Sequence, residues 1–178
     1  MSASGVTLAT FTVGTCPKNI AIDQAKYVWV TDPCTNNIFK LNGSGIQLTV
    51  AVGGSPDDVA IDQFGDVWIT IPSLDSIAEF YSDGITVGTY PVGIGPSGIA
   101  IDASGNVWVA NSGDNTITKL EPSGNYLGTY DVGVNPQDIA IDKDGDVWVT
   151  DGGDNTVTEF AFMTSGPEYF PYTGPQWP

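Results

Sequence analysis

The sequence predicts an all-β fold, a four-bladed β-propeller, and three observations lead to this prediction. A unit of about 40 residues occurs four times in the 178-residue chain. Each unit contains short segments of β-branched and aromatic residues separated by turn residues, and none shows the 3.6-residue apolar period of a helix. The abundance of glycine, with 22 residues, favours strands joined by tight turns.

One tryptophan marks each repeat unit. Each follows a valine, and a short turn separates this Val-Trp pair from an aspartate that ends an apolar segment. The tryptophans are spaced by 39, 40 and 40 residues and are Trp29, Trp68, Trp108 and Trp148. Because they recur at one strand position, we expect them to pack between blades.

The third unit shows how one blade is built. Strands are predicted over residues 98–102, 107–110, 116–120 and 126–132, with turn residues such as Gly105 between them. Four short antiparallel strands, repeated around an axis, form a propeller blade. Residues 1–160 are therefore predicted to be one four-bladed propeller.

The ring is predicted to close through the N-terminus. The last unit departs from the repeat after Phe160, so its fourth strand is missing, whereas residues 4–14 match residues 123–133 of the third unit. We expect residues 4–14 to supply the outer strand of the last blade, which would cover its edge. Two chains joined into one eight-bladed ring, each lending this strand to its neighbour, remain an alternative.

Residues 161–178 are left over as a C-terminal tail rich in proline and aromatic residues. Its prolines cannot donate to an interior strand ladder, and its aromatic side chains are costly to expose. We expect the tail to bind a protein partner or a second copy of the chain through Tyr169, Phe170, Tyr172 and Trp177.

The charge excludes two classes of partner. With 21 acidic and 5 basic residues, the formal net charge is −16, which repels nucleic acid and anionic membranes. No apolar run approaches the length of a membrane span, and the first residues have no signal-peptide pattern. We expect no nucleic-acid partner, no membrane insertion and no Sec-type export.

Polar residues recur at one predicted mouth of the central channel. The loops that enter the innermost strands and those that leave the second strands are expected to meet there. Their carboxylate and amide side chains are Asn19, Asp58 and Asp138 from the entering loops, and Asp32, Asn111 and Asp151 from the leaving loops. Such oxygens suit a hard cation such as Ca²⁺. Alternatively, they only satisfy the local backbone, as in Asx-turns.

Cys16 and Cys34 are the two cysteines. They are predicted in an entering and a leaving loop of the same blade, where either a disulfide or two free thiols is compatible with the sequence.

Units such as residues 96–120, PSGIAIDASGNVWVANSGDNTITKL, resemble the repeats of the NHL and virginiamycin B lyase-like propeller superfamily. The resemblance covers nearly all of the chain except the tail, and it implies a propeller fold. That superfamily includes lyases, lactonases and binding scaffolds. Its lyase branch is expected to use a catalytic histidine with magnesium, and this chain has no histidine.

The sequence therefore predicts a noncatalytic binding or structural propeller. The resemblance further implies a phage virion or cell-surface component, with a cytoplasmic location otherwise. The alternative is a metal-dependent enzyme similar to the lactonases or lyases, with its site at the channel mouth.

Overall fold

The computed structural model describes residues 5–161, which form four antiparallel sheets. Within each sheet, consecutive strands are neighbours, as in the blades of a β-propeller. One short 3-10 helix, Pro72–Leu74, lies among them. In the part of the chain that the structure describes, no helix is long and apolar enough to cross a membrane.

The first three sheets have four strands each and the last has three. The first contains β1 (Ile20–Ile22), β2 (Val28–Asp32), β3 (Asn37–Asn42) and β4 (Gly45–Ala51). The second contains β5 (Val59–Ile61), β6 (Val67–Ile71), β7 (Ser76–Phe80) and β8 (Thr86–Pro91). The third contains β9 (Pro96–Ile101), β10 (Val107–Asn111), β11 (Thr116–Leu120) and β12 (Tyr126–Asp131). The last contains β13 (Pro136–Ile141), β14 (Val147–Asp151) and β15 (Thr156–Phe160).

The turn between the second and third strands has the same chemistry in every sheet. One residue there takes a left-handed backbone conformation, and it is Asn36, Asp75, Asn115 or Asn155. Asn and Asp tolerate this conformation better than other non-glycine residues. The turn sets the register of the following strand, so that Trp108 lies opposite Lys119 and Trp68 opposite Glu79.

Apolar side chains fill the space between consecutive sheets. Between the second and third sheets, Trp68 and Ile77 pack with Val107, Val109 and Leu120. Equivalent layers join the first sheet to the second and the third to the last. The innermost strands of neighbouring sheets also contact each other. The core is thus three repeated layers rather than one central cluster.

The strands predicted for the third unit are confirmed as β9 to β12, with bounds shifted by two residues at most. Packing of the tryptophans between sheets is confirmed for the first three units, where at most 1% of each side chain is exposed. Trp148 of the last sheet is 39% exposed. No described sheet covers it.

The N-terminal segment takes a different place from the one predicted. Residues 5–14 form no strand in the structure, and the described part of the last sheet ends at β15. Val13 instead packs against Val30, Phe39 and Leu41 on the outer face of the first sheet. The structure therefore does not show the predicted ring closure. Residue 4 and the tail from residue 162 onward lie outside the described residues.

Candidate functional site

A polar cavity of about 250 Å³ lies where the innermost strands of all four sheets begin. Each sheet contributes two adjacent residues from the same place in the repeat. The lining residues are Lys18, Asn19, Asp57, Asp58, Ser97, Gly98, Gln137 and Asp138. The entering loops thus meet at one mouth, which is where the sequence places them.

Many polar groups of this cavity connect neighbouring sheets. The Asn19 side-chain amide donates to the Asp57 carbonyl at 3.1 Å, and the Ser97 hydroxyl donates to the Pro136 carbonyl at 2.9 Å. The Thr70 hydroxyl, just behind the cavity, donates to the Ser97 carbonyl at 2.9 Å. Each of these hydrogen bonds joins a side chain of one sheet to the backbone of the next, at the start of the innermost strands.

Asp58 is the most perturbed carboxylate of the cavity. Burial raises its pKa to about 6, against two backbone hydrogen bonds that lower it, and the nearby Asp138 raises it further. Those hydrogen bonds come from the amides of Val59 at 2.8 Å and Ile99 at 3.0 Å. Asp58 therefore links two sheets, and its carboxyl group titrates in the pH range in which general bases act.

The charges of the cavity are only partly balanced. Lys18 forms an ion pair with Asp57, with 2.6 Å between Nζ and Oδ1. Asp58 and Asp138 have no such partner among the lining residues. The cavity therefore favours cationic or hydrogen-bond-donating ligands over anions.

The predicted leaving-loop residues do not line this cavity. Asp32, Asn111 and Asp151 end the second strands of their sheets, and at most 1% of each is exposed. Asn111, for example, accepts a hydrogen bond from the Gly93 amide and donates to the hydroxyl of Thr118. Of the six predicted polar residues, Asn19, Asp58 and Asp138 therefore line the cavity, and the other three are buried outside it.

Glycines explain the burial of this second group. A Cβ atom added at Gly93 would lie 2.6 Å from the Asn111 side chain, and one at Gly133 would lie 2.5 Å from that of Asp151. Gly14 is packed against Asp32 in the same way. Each glycine follows the outer-strand position of the preceding unit, so the polar side chain is enclosed under backbone from another blade.

Asp32 also organises the only two cysteines. Burial acts to raise its pKa, but the backbone amides of Thr15, Cys16, Cys34 and Thr35 outweigh this effect and lower it. Cys16 and Cys34 form a disulfide with 5.7 Å between their Cα atoms. The structure thus selects the disulfide from the two alternatives compatible with the sequence, and neither sulfur is available as a thiolate ligand.

The closest groupings of cysteine and carboxylate side chains lie away from the cavity. Within residues 5–161, three such ligand atoms lie within 4.8 Å of one another at Cys16, Asp32 and Cys34, and at Asp62, Asp66 and Glu79. The first contains the disulfide, and neither includes a residue of the cavity. Ca²⁺ binding by Asp58, Asp138 and Asn19 stays a prediction.

Sequence reasoning missed half of the cavity. It selected Asn19, Asp58 and Asp138 from three of the four entering loops, whereas one further polar residue of every unit also lines the space. These residues are Lys18, Asp57, Ser97 and Gln137, and their shared polarity at one repeat position is the signal that identifies them. The predicted partner-binding residues Tyr169, Phe170, Tyr172 and Trp177 lie outside the described residues.

The sequence matches the NHL repeat over residues 94–120 and 134–160. A comparison with curated proteins found no match. Among solved structures, the chain is similar to a streptogramin B lyase, with 24% identity, a TM-score of 0.72, and 83% of this chain and 55% of that one covered. It is also similar to a catalytically inactive virginiamycin B lyase from Staphylococcus aureus with quinupristin, with 23% identity, a TM-score of 0.71, and coverage of 84% and 56%.

A third similar structure is the computationally designed protein Ika4, with 12% identity and a TM-score of 0.73. That comparison covers 88% of this chain and 98% of the designed one. The chain thus spans a little over half the length of the two lyases and nearly all of the designed protein. At these identities the structural similarity concerns the fold.

Proposed function

We propose that this chain, which contains NHL repeats over residues 94–120 and 134–160 and is similar in fold to virginiamycin B lyases, is a noncatalytic module for binding and assembly. The NHL-type fold supports a repeat module that binds or organises other molecules, without specifying which ones. Because the superfamily also contains lyases, the proposal must come from the residues of the chain itself.

The observation that carries the proposal is the contrast between the cavity and the ends of the sheet array. In the cavity, Asn19, Asp58 and Ser97 hydrogen-bond to the backbone of the neighbouring sheet. At the ends of the array, large apolar side chains such as Trp148 and Val157 are exposed on strands. Contiguous apolar surface on a folded protein is typical of an interaction site.

We extend the proposal to the completion of the last blade. Residues 4–14 repeat the pattern of the third unit's outer strand, and β15 has no described neighbour on its outer side. Pairing of this segment with β15 would complete a four-stranded blade and close a ring. Such a ring has four blades when one chain closes on itself and eight blades when two chains exchange this segment.

The proposed partner is a protein, bound through the aromatic tail of residues 161–178 or through the propeller itself. The net charge of −16 disfavours nucleic acid and anionic membranes as partners. A role in a phage particle or at a cell surface belongs to the same proposal.

Asp58 supports a second candidate function, a metal-dependent lactonase- or lyase-like activity. Its pKa of about 6 and the proximity of Asp138 give the cavity one carboxylate suited to proton transfer. A divalent cation would be needed to polarise a substrate, and Asp138 and Asn19 offer oxygen ligands for it beside Asp58.

A turnover assay separates the two functions. The full chain is incubated with a panel of aliphatic and cyclic-peptide lactones, including quinupristin, with and without Ca²⁺ or Mg²⁺. We expect no rate above the protein-free control, because the cavity side chains serve the fold. Metal-dependent turnover that disappears in Asp58→Asn but persists in Asp83→Asn, an exposed turn residue, would overturn the noncatalytic proposal.

A further inference from the structure

We propose that the two ends of the sheet array are the two halves of one interface, and that each binds the opposite end of a second copy of this chain. Two copies joined in this way form a single ring of eight blades. Residues 5–14 of each copy complete the last blade of the other. The inference rests on the proposed assembly function and names its partner.

The open face of the last sheet, formed by Ala140, Trp148 and Val157, is an interface without its other half. Trp148 and Val157 are 39% and 59% exposed, whereas the equivalent Trp108 and Ile117 of the third sheet are at most 1% exposed. In the third sheet this face is covered by the next sheet. The last sheet presents the same apolar surface with no described sheet upon it.

The open face of the first sheet, formed by Val28, Val30, Phe39 and Leu41, has the complementary character. Its residues occupy the strand positions that Val107, Val109 and Leu120 use to receive the preceding sheet. An apolar cleft of about 390 Å³ lies on this face. The first sheet therefore has the surface that receives a preceding sheet, and no sheet within residues 5–161 lies there.

Val13 contacts the open face of the first sheet, where the preceding blade of a ring would lie. It packs on the open face of the first sheet, as Val52, Val92 and Val132 pack between the sheets that follow them. Each of those three valines directly follows the outer strand of its blade. Val13 thus occupies the place of the residue that follows an outer strand, and no described sheet precedes the first one.

The edge of β15 offers the missing pairing partner. If residues 5–14 pair with β15 as β12 pairs with β11, Thr158 lies opposite Thr10 and Val157 opposite Phe11. In the third sheet the hydroxyls of the equivalent Thr118 and Thr129 are 3.4 Å apart. The pairing would also remove an exposed strand edge, which is prone to non-specific association.

The separation of the two ends of the array favours a second copy over closure by the chain itself. Among the described residues, the first sheet does not cover the last, since Trp148 and Val157 stay 39% and 59% exposed. A two-fold pair supplies the missing cover through two identical junctions.

Sedimentation of the full chain at 0.15 M salt tests the pairing. We expect a mass of twice 18.7 kDa for the wild type and the monomer mass for Val157→Glu, which places a charge in the junction. The matched control is Ile85→Glu, which alters a turn residue with 60% exposure and should leave the dimer intact. A monomeric wild type, or equal effects of the two variants, would overturn the inference.

Cysteine cross-linking identifies which chain supplies the strand. In Thr10→Cys/Thr158→Cys, we expect oxidation to give a covalent dimer on non-reducing electrophoresis, and Thr158→Cys alone should stay uncross-linked. A cross-linked monomer would mean that the chain closes its own four-bladed ring, which overturns pairing between copies. Absence of any cross-link would contradict the strand pairing itself.

Removal of residues 161–178 distinguishes the end faces from the tail. We expect the shortened chain to remain dimeric, because the junction uses strands and sheet faces within residues 5–161. A monomeric shortened chain would overturn the inference and assign assembly to the tail, leaving the proposed function standing. Lactone turnover in the separate assay would overturn the proposed noncatalytic function, whereas the mass from sedimentation tests only the dimer.

Discussion

At the scale of residues, one aspartate holds each blade's first turn and its tryptophan together. Asp102 accepts hydrogen bonds from the amides of Ser104 and Asn106, both at 2.9 Å, and from the Trp108 indole at 3.1 Å. Aspartates bond the indoles of the other units at 3.1 to 3.4 Å. Part of the chain's acidic composition is therefore required by the fold.

Replacing this aspartate should cost more where the tryptophan is buried. In Asp102→Ala, the Trp108 indole loses its acceptor in a site with 1% exposure, so we expect the free energy of unfolding to fall by about 1–3 kcal/mol. In Asp142→Ala, water can reach the exposed Trp148, so the loss should be smaller. Urea unfolding of both variants measures the difference, and equal losses would contradict this explanation.

The raised pKa of Asp58 predicts a pH-dependent contribution to stability. Because its pKa of about 6 lies above the ordinary 3.8, ionisation of Asp58 opposes folding. Its favourable contribution is complete below about pH 4 and is lost as the pH rises through 6. Relative to Asp58→Asn, the wild type should lose at most about 3 kcal/mol between pH 4 and pH 8.

Urea unfolding of both proteins across this range measures the effect, since the other carboxylates cancel in the difference between them. A difference that is constant with pH would show that Asp58 titrates normally in the folded chain.

At the scale of elements, the innermost strands approach most closely where the repeat has a glycine. Gly98 of β9 lies at the position that holds Asn19, Asp58 or Asp138 in the other units. A Cβ atom there would be 2.8 Å from the Cα of Asp138 in β13. The backbones of β9 and β13 therefore pack directly against each other, without a side chain between them.

A methyl group at this position should separate the two strands. We expect Gly98→Ala to lower the free energy of unfolding by about 1–3 kcal/mol, because the clash involves backbone that cannot rotate away. Gly43→Ala is the control, since nothing lies within 4 Å of its added Cβ, and it should change stability by less than about 0.5 kcal/mol. Thermal or urea unfolding compares them, and a neutral Gly98→Ala would mean that the sheets readjust freely.

At the scale of the whole molecule, the two ends of the array differ from those of most repeat proteins. Terminal repeats usually carry a polar outer face, because each repeat buries its apolar surface only against its neighbours. Here the last sheet exposes Trp148 and the first sheet presents Val28 and Val30 around an apolar cleft. Pairing of two copies would bury both faces at once.

The sequence by itself determined the strands, the turns and the repeat, because these depend on local alternation and on turn residues such as Gly105 and Asn115. It also predicted the burial of Trp29, Trp68 and Trp108. These features recur in every unit and need no knowledge of distant contacts.

Only the tertiary structure decided which polar residues reach the cavity and which tryptophan stays exposed. The sequence predicts Asp32 and Asp151 at the same mouth as Asp58, yet Gly14 and Gly133 pack against them and enclose them. Trp148 matches the other tryptophans but has no described sheet beyond it. Both outcomes depend on what a neighbouring blade places against a residue, and repeat spacing alone carries no information about where the array of blades ends.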